Sequence, residues 1–121
     1  MKELLLKDLC ARLPYGVVCQ VDDGAAGLND GKLVEIDISK ELVRFDADYY
    51  WDAYIDDIKP YLFPMSNMTE EQFKEYWELE HSGDMEHLSI PALDWLNKNH
   101  FDYRGLIPMG LAIDASRLNI Y

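Results

Sequence analysis

The chain has 121 residues, of which 49% are hydrophobic, and 23 acidic against 11 basic side chains give it a formal charge of -12. A chain of this length fits one domain and buries roughly two-thirds of its unfolded surface, which excludes disorder of the whole chain. The charge opposes direct binding to nucleic acid, because neutralising phosphates requires clustered Lys and Arg. It favours a basic protein partner, or serves solubility alone.

From Glu3 to Leu13, leucines recur at helical spacing and predict an amphipathic helix of about three turns, which Pro14 ends. The charged residues between the leucines are expected to face water: Lys2, Lys7, Asp8 and Arg12. No uninterrupted apolar stretch resembles a signal peptide or a membrane span.

Cys10 and Cys19 have no CxxC motif and no Cys/His cluster around them, which disfavours a disulfide framework and a structural zinc site. Together with the lack of an uninterrupted apolar stretch at the N-terminus, this predicts a soluble cytoplasmic protein with reduced thiols. We expect no membrane association and no cofactor.

Three stretches predict strands of an antiparallel meander: residues 17–21, 33–38 and 42–45. The polar residues 22–31 predict the turn between the first two strands. Residues 48–57 interleave aromatics with acids and fit either a fourth strand or an edge loop. Prolines interrupt residues 58–64, which predicts a helical turn followed by an extended connector.

A capping box, in which Thr69 and Gln72 bond each other's backbone amides, predicts a helix that runs to about Glu80. Met68 is expected to pack on Phe73 at its start. Phe73, Tyr76 and Trp77 are expected along one side of this helix.

A last helix is predicted from Pro91, with Ala92, Trp95 and Leu96 on one face. The whole chain, residues 1–121, is thus predicted to form a single α+β domain. Its core element is a small antiparallel β-meander of three or four strands, packed with the N-terminal helix and two helices in the C-terminal half.

His81, Asp84 and His87 carry suitable ligand types for zinc or another first-row metal. Their spacing matches no known ligand pattern, and a solvated loop between helices is the favoured interpretation. The metal hypothesis implies a small metal-dependent hydrolase. Apart from it, the chain carries no Gly-x-Ser-x-Gly elbow and no phosphate-binding glycine loop, so a non-enzymatic role is favoured.

The aromatic group Tyr49, Tyr50, Trp51 and Tyr54 is rimmed by aspartates. Such a patch either completes the core or forms a protein-contact surface, because Tyr and Trp are common anchors at interfaces. We predict this patch as the interaction surface. An exposed aromatic edge would equally suit a homodimer.

The stretch from His100 to Gly105 combines polar and aromatic side chains after the last helix. We expect Asp102 and Arg104 to fasten this loop by bonding backbone groups, while Phe101 and Tyr103 pack inward. A His and Asp pair with an anion held by Arg104 is the alternative.

Three phrases of the sequence resemble a family of small uncharacterised proteins from gut Bacteroidetes and their phages or mobile elements: residues 4–16, residues 58–71, and residues 94–107. The resemblance implies a cytoplasmic or phage-borne accessory protein and transfers no catalytic residue. Such small acidic proteins sometimes block defence enzymes.

The sequence therefore predicts a small acidic accessory protein that acts as a non-enzymatic protein-interaction module. Mimicry of DNA, in which carboxylates replace phosphates and occupy a nucleic-acid-binding or defence protein, is an alternative suggested by the net charge and by the glutamates of residues 70–80. The metal-dependent hydrolase is the second alternative.

Overall fold

The computed structural model of the chain describes residues 2–24, 27–46, 51–81 and 90–121, and the fold is α+β, as the sequence predicts. The helices are α1 (Lys2–Arg12), α2 (Glu70–Glu80) and α3 (Ile90–Lys98). The strands are β1 (Val18–Asp22), β2 (Leu28–Asp37), β3 (Leu42–Asp46), β4 (Trp51–Tyr54), β5 (Ile58–Pro64), β6 (Phe101–Asp102) and β7 (Ile113–Asp114). None of the helices described is long and apolar enough to cross a membrane.

The described strands form one mixed sheet in the order β4-β3-β2-β1-β5-β6, with β7 also paired to β5. Strands β1 to β4 make the predicted antiparallel meander. The sheet continues beyond it, because β5 pairs antiparallel with β1 while β6 and β7 run parallel to β5. The sheet therefore has more strands than the predicted three or four.

Strand β5 replaces the helical turn and connector that its prolines predict. Pro60 lies opposite Cys19 of β1, before the parallel pairs of β5 begin at Tyr61 and Phe63. A proline has no backbone N–H to donate, so it weakens a strand that is paired on both sides. Because Pro60 lies before the residues that pair with β6 and β7, β5 can lie inside the sheet. Burial of Tyr61 and Leu62 stabilises this arrangement.

The turn between β1 and β2 is shorter than residues 22–31. Two backbone hydrogen bonds close it. The amide of Asp23 donates to the carbonyl oxygen of Gly27 at 2.9 Å, and the amide of Gly27 donates to the carbonyl oxygen of Gly24 at 3.2 Å. Strand β2 begins at Leu28, and its polar residues Asn29 and Asp30 pair with β1. The exposed positions of β2 tolerate turn-forming residues, because backbone pairing does not depend on their side chains.

Two apolar clusters form the core of the described chain. The first lies between α1 and the sheet and includes Leu9, Leu33, Phe45 and Leu62. The second joins α2 and α3 to the C-terminal loop, with Trp95, Leu96 and Phe101 at its centre. The predicted burial of Ala92, Trp95 and Leu96 on one face of α3 is confirmed.

Helix α1 differs from the prediction in which residues it buries. Asp8 and Arg12, expected to face water, are fully buried. Leu5 and Leu9 occupy the core as expected, whereas Leu6 and Leu13 are only half-buried. A buried ion pair on the same helix therefore takes positions that the leucine pattern alone assigns to solvent.

Candidate interaction surface

The start of α2 is fixed by the predicted capping box. The amide of Gln72 donates to Thr69 Oγ1 at 3.1 Å, and the amide of Thr69 donates to Gln72 Oε1 at 2.9 Å. Two amides that the helix itself cannot pair are thereby satisfied. Glu70 and Glu71 in the first turn add a favourable interaction with the helix dipole.

The inner side of α2 packs on the second core cluster. Tyr76 and Leu79 contact this cluster, and the Tyr76 ring centroid lies 5.9 Å from that of Trp95. Burial raises the pKa of the Tyr76 hydroxyl. None of the α2 residues is fully buried, so this helix contributes only a narrow strip to the core.

The outer side of α2 exposes two large aromatic rings. Phe73 is 57% and Trp77 is 50% exposed, whereas the prediction placed both on one side with the half-buried Tyr76. Met68 packs against the second cluster. Phe73 and Trp77 are four residues apart and therefore neighbours on the helix surface.

His81 continues this aromatic row at the end of the helix. Its ring stacks on the Trp77 indole, with centroids 4.1 Å apart and an interplanar angle of 23°. Its Nδ1 lies 2.8 Å from the Trp77 carbonyl oxygen, which only accepts, so Nδ1 donates there. The contact holds one side of the indole in place.

Five glutamates and one lysine accompany these rings along α2. Within the described ranges, no ion pair involves a glutamate of α2. Acidic side chains elsewhere do have cationic partners, since Arg44 bridges Glu35 and Asp52 and Lys2 contacts both Glu41 and Asp56. We call the set Glu70, Glu71, Phe73, Lys74, Trp77 and Glu78 the α2 outer face.

The aromatic patch predicted from the sequence is only partly visible in the structure. Tyr54 lies at the end of the edge strand β4 and is 60% exposed. Tyr49 and Tyr50 lie outside the described residues, and so does the side chain of Trp51. The structure therefore places one described ring of this patch at the surface.

Of the three residues of the metal hypothesis, only His81 lies in the described part of the chain, and its Nδ1 is engaged by Trp77. Asp84 and His87 fall outside it. Among the residues that are described, no three His, Cys, Asp or Glu side chains converge in a way that could hold a metal ion.

The loop after α3 is fastened by Asp102, as predicted. Its carboxylate accepts hydrogen bonds from the amides of Leu106 and Ile107, each at 2.9 Å. Arg104 reaches a side chain rather than a backbone group, because its Nε lies 3.3 Å from Asp8 Oδ1 without hydrogen-bond geometry. This loop is thus tied both to itself and to α1.

Asp8 and Arg12 are the centre of a fully buried charged cluster that the sequence did not indicate. Arg12 donates twice to the Asp8 carboxylate, at 2.8 and 3.1 Å, and once to the Phe101 carbonyl oxygen at 2.6 Å. Two guanidinium groups contact the Tyr103 ring, whose centroid lies 5.2 Å from Arg12 Cζ and 5.1 Å from Arg104 Cζ. The cluster joins α1 to the C-terminal loop.

His100 adopts a left-handed backbone conformation with φ of 63°, and its ring stacks on Tyr121 with centroids 3.7 Å apart. The Tyr121 hydroxyl accepts a bond from the amide of Val18 and donates to the carbonyl oxygen of Tyr61. His100 is buried, and its Nδ1 has no hydrogen-bond partner. Burial, and secondarily the charge of Arg12, lowers the pKa of His100 from 6.5 to about 4.

This lowered pKa makes stability depend on pH. The unfolded chain binds a proton near pH 6.5 and the folded chain only near pH 4, so stability is expected to fall as pH drops through that interval. His100→Asn, which keeps a residue tolerant of positive φ, is expected to flatten this slope. Urea unfolding of both proteins at pH values of about 7 and about 4.5 measures the difference. Identical slopes in the two proteins would contradict the assignment.

Comparison of the chain with protein-family models, with curated proteins and with solved structures finds no match.

Proposed function

We propose that this chain is a small acidic, non-enzymatic interaction module whose α2 outer face binds a basic segment of a partner protein. The observation that carries the proposal is the exposure of Phe73 and Trp77 among glutamates that no described cation pairs. The resemblance of three phrases of the sequence to proteins of gut Bacteroidetes and their phages supports a role as a cytoplasmic accessory protein in bacteria.

An exposed Trp flanked by carboxylates suits a cationic side chain. A Lys or Arg over the indole face gains from the ring quadrupole, and a nearby carboxylate adds a charge-assisted hydrogen bond. Phe73 supplies apolar area next to the indole for the stem of the same side chain or for an adjacent aliphatic residue. The chemistry of this face therefore favours Lys or Arg interleaved with apolar residues.

The charge distribution supports the same partner class. Because Glu70, Glu71 and Glu78 have no ion pairs within the described chain, binding does not first require breaking one. The net charge of -12 also accelerates encounter with a basic partner at low salt.

Mimicry of DNA is the second candidate, and the four exposed glutamates of α2 favour it: Glu70, Glu71, Glu75 and Glu78. In that function the carboxylates alone would provide the binding energy, since a phosphate backbone offers no aromatic ring. In the function proposed first, Phe73 and Trp77 are the main anchors. The two candidates thus differ in which side chains matter.

The test uses a lysine-rich synthetic helical peptide that carries leucine at every third or fourth position, labelled for fluorescence anisotropy. We expect binding by the wild-type chain and about 30-fold weaker binding by the double variant Phe73→Ala, Trp77→Ala, which is the size of a hot-spot loss. The triple variant Glu70→Gln, Glu71→Gln, Glu78→Gln is expected to lose about tenfold at low salt and less at high salt.

Matched controls separate this face from the general properties of the surface. Leu28→Ala with Ile38→Ala removes two other exposed apolar side chains, and Asp23→Asn, Asp46→Asn, Asp57→Asn removes three other exposed charges. Both controls are expected to bind the peptide within about twofold of wild type. A peptide with Glu in place of Lys should not bind.

Two outcomes would overturn the proposal. Equal losses in each α2 variant and its matched control would show that the peptide does not select the α2 outer face. A loss confined to the glutamine variant, with the aromatic variant unaffected, would favour DNA mimicry.

A further inference from the structure

A cavity of about 220 Å³ lies behind α2, where its first turn meets the end of α3 and the loop that follows it. Residues near the start of α2, near the end of α3 and in the C-terminal segment line it, and they include Asn67, Gln72, Lys98, Asn99, His100 and Tyr121. It opens on a different side of α2 from the α2 outer face, because Gln72 is half-buried and Phe73 and Trp77 point outward.

Flat rings form much of the wall. Phe63 and Phe101 line the cavity together with the stacked rings of His100 and Tyr121. The centroids of Phe63 and Tyr121 are 5.9 Å apart, and those of Phe63 and Phe101 are 6.1 Å apart. Aromatic walls with a few placed polar groups are typical of small-molecule sites, and they favour a flat apolar body.

Side-chain amides supply hydrogen-bonding groups of both kinds. Asn99 Nδ2 donates to the Trp95 carbonyl oxygen, which leaves its Oδ1 as an acceptor without a partner among the described residues. Gln72 Oε1 accepts from the amide of Thr69, which leaves Gln72 Nε2 as a donor without a partner among the described residues. The bonds already made hold both amides in fixed orientations.

Among the described residues that line the cavity, Lys98 is the one charged side chain. None of these described residues carries a side-chain carboxylate, although acids outnumber bases 23 to 11 in the chain. Within the described residues, Lys98 takes part in no ion pair. The cavity is therefore suited to an anionic group in a protein that otherwise repels anions.

His100 adds an independent sign of a site. It is 8% exposed, has positive φ, and leaves Nδ1 without a hydrogen bond. A non-glycine residue in this conformation and an unpaired buried nitrogen both cost stability, and such features concentrate where binding requires a fixed geometry.

We propose that this cavity binds a small aromatic carboxylate, with its ring against the Phe63, Phe101 and Tyr121 rings, its carboxylate on Lys98 and a ring heteroatom on the side-chain amides. The volume limits the ligand to one or two fused rings, because pockets for drug-sized molecules span roughly 300–1,000 Å³. This site is separate from the α2 outer face and does not depend on the function proposed above.

Nicotinate is the probe, and nicotinamide and benzoate are its matched analogues. Nicotinamide keeps the ring but lacks the charge, and benzoate keeps the charge but lacks the ring nitrogen. Saturation-transfer NMR and amide chemical-shift mapping are expected to give a Kd near 1 mM for nicotinate, with shifts at Asn99, His100 and Tyr121. Both analogues are expected to bind about tenfold more weakly.

The variant Lys98→Glu tests the anion contact, and Lys7→Glu on the exposed side of α1 is its charge-matched control. Lys98→Glu is expected to abolish nicotinate binding, while Lys7→Glu retains it. Because Lys98 is exposed, we expect Lys98→Glu to fold. A thermal unfolding midpoint close to that of the wild-type chain verifies its folding. Lys98→Glu should also bind the basic peptide as wild type does, so failure of either proposal is recognised separately.

Three results would each overturn the proposal. They are the absence of saturation transfer to nicotinate, equal affinities for nicotinate and nicotinamide, and unchanged nicotinate binding by Lys98→Glu.

Discussion

Asp8→Ala is expected to lower the free energy of unfolding by about 3–5 kcal/mol, because it leaves the buried guanidinium of Arg12 without its anion. Arg104 loses the same partner at 3.3 Å. The cation cannot move to solvent without breaking its bond to the Phe101 carbonyl oxygen and separating α1 from the C-terminal loop. Urea unfolding at neutral pH measures the change.

Two further variants isolate the cause. Asp56→Ala removes an exposed carboxylate that contacts Lys2, and it should cost no more than about 1 kcal/mol. Asp8→Leu combined with Arg12→Met removes both charges and is expected to be more stable than Asp8→Ala. If Asp8→Ala and Asp56→Ala destabilise the protein equally, the buried pair does not have the role described.

Phe101→Ala is expected to cost about 3–5 kcal/mol, the range for removing a large buried aromatic side chain. The Phe101 ring stacks on Trp95, with centroids 5.6 Å apart and an interplanar angle of 11°, and it also contacts Phe63. Its removal leaves a void at the centre of the second cluster, which joins α2 and α3 to the sheet. Differential scanning calorimetry or urea unfolding provides the measurement.

Phe73→Ala is the control of identical chemistry, since the same side chain is removed from a site that is 57% exposed. We expect it to change the free energy of unfolding by less than about 1 kcal/mol. A large destabilisation by Phe73→Ala would mean that this ring supports the fold, which would also weaken its assignment to a binding surface.

Local sequence signals predicted the helices and the first strands well. The capping box at Thr69 and the apolar face of α3 depend on residues close together in sequence, and both are confirmed. The meander of β1 to β3 follows from alternation and turn residues of the same kind. Such signals are local, so they hold without knowledge of the rest of the fold.

The features that the sequence did not predict depend on contacts with residues that are distant in sequence. Strand β5 exists because β1 lies on one side of it and β6 and β7 on the other, and its prolines suggested otherwise. Asp8 and Arg12 are buried because the Phe101 carbonyl oxygen and Arg104 come from residues about ninety positions away. A helical pattern of leucines carries no information about such partners.

The sequence analysis predicted the type of candidate surface but chose other residues for it. The sequence indicated an exposed aromatic patch among acids, and it favoured Tyr49, Tyr50, Trp51 and Tyr54. The structure adds Phe73 and Trp77, which helical spacing placed beside Tyr76. Because α2 contributes only a narrow strip to the core, a shift of about one residue around its axis separates a core position from an exposed one.

The most direct test of the interaction module is a map of amide chemical-shift changes as the lysine-rich peptide is added to the labelled chain. We expect the changes to be concentrated in residues 70–81, with the indole of Trp77 among the largest. Changes spread evenly over all acidic residues, changes centred on β4, or no changes at all would contradict it.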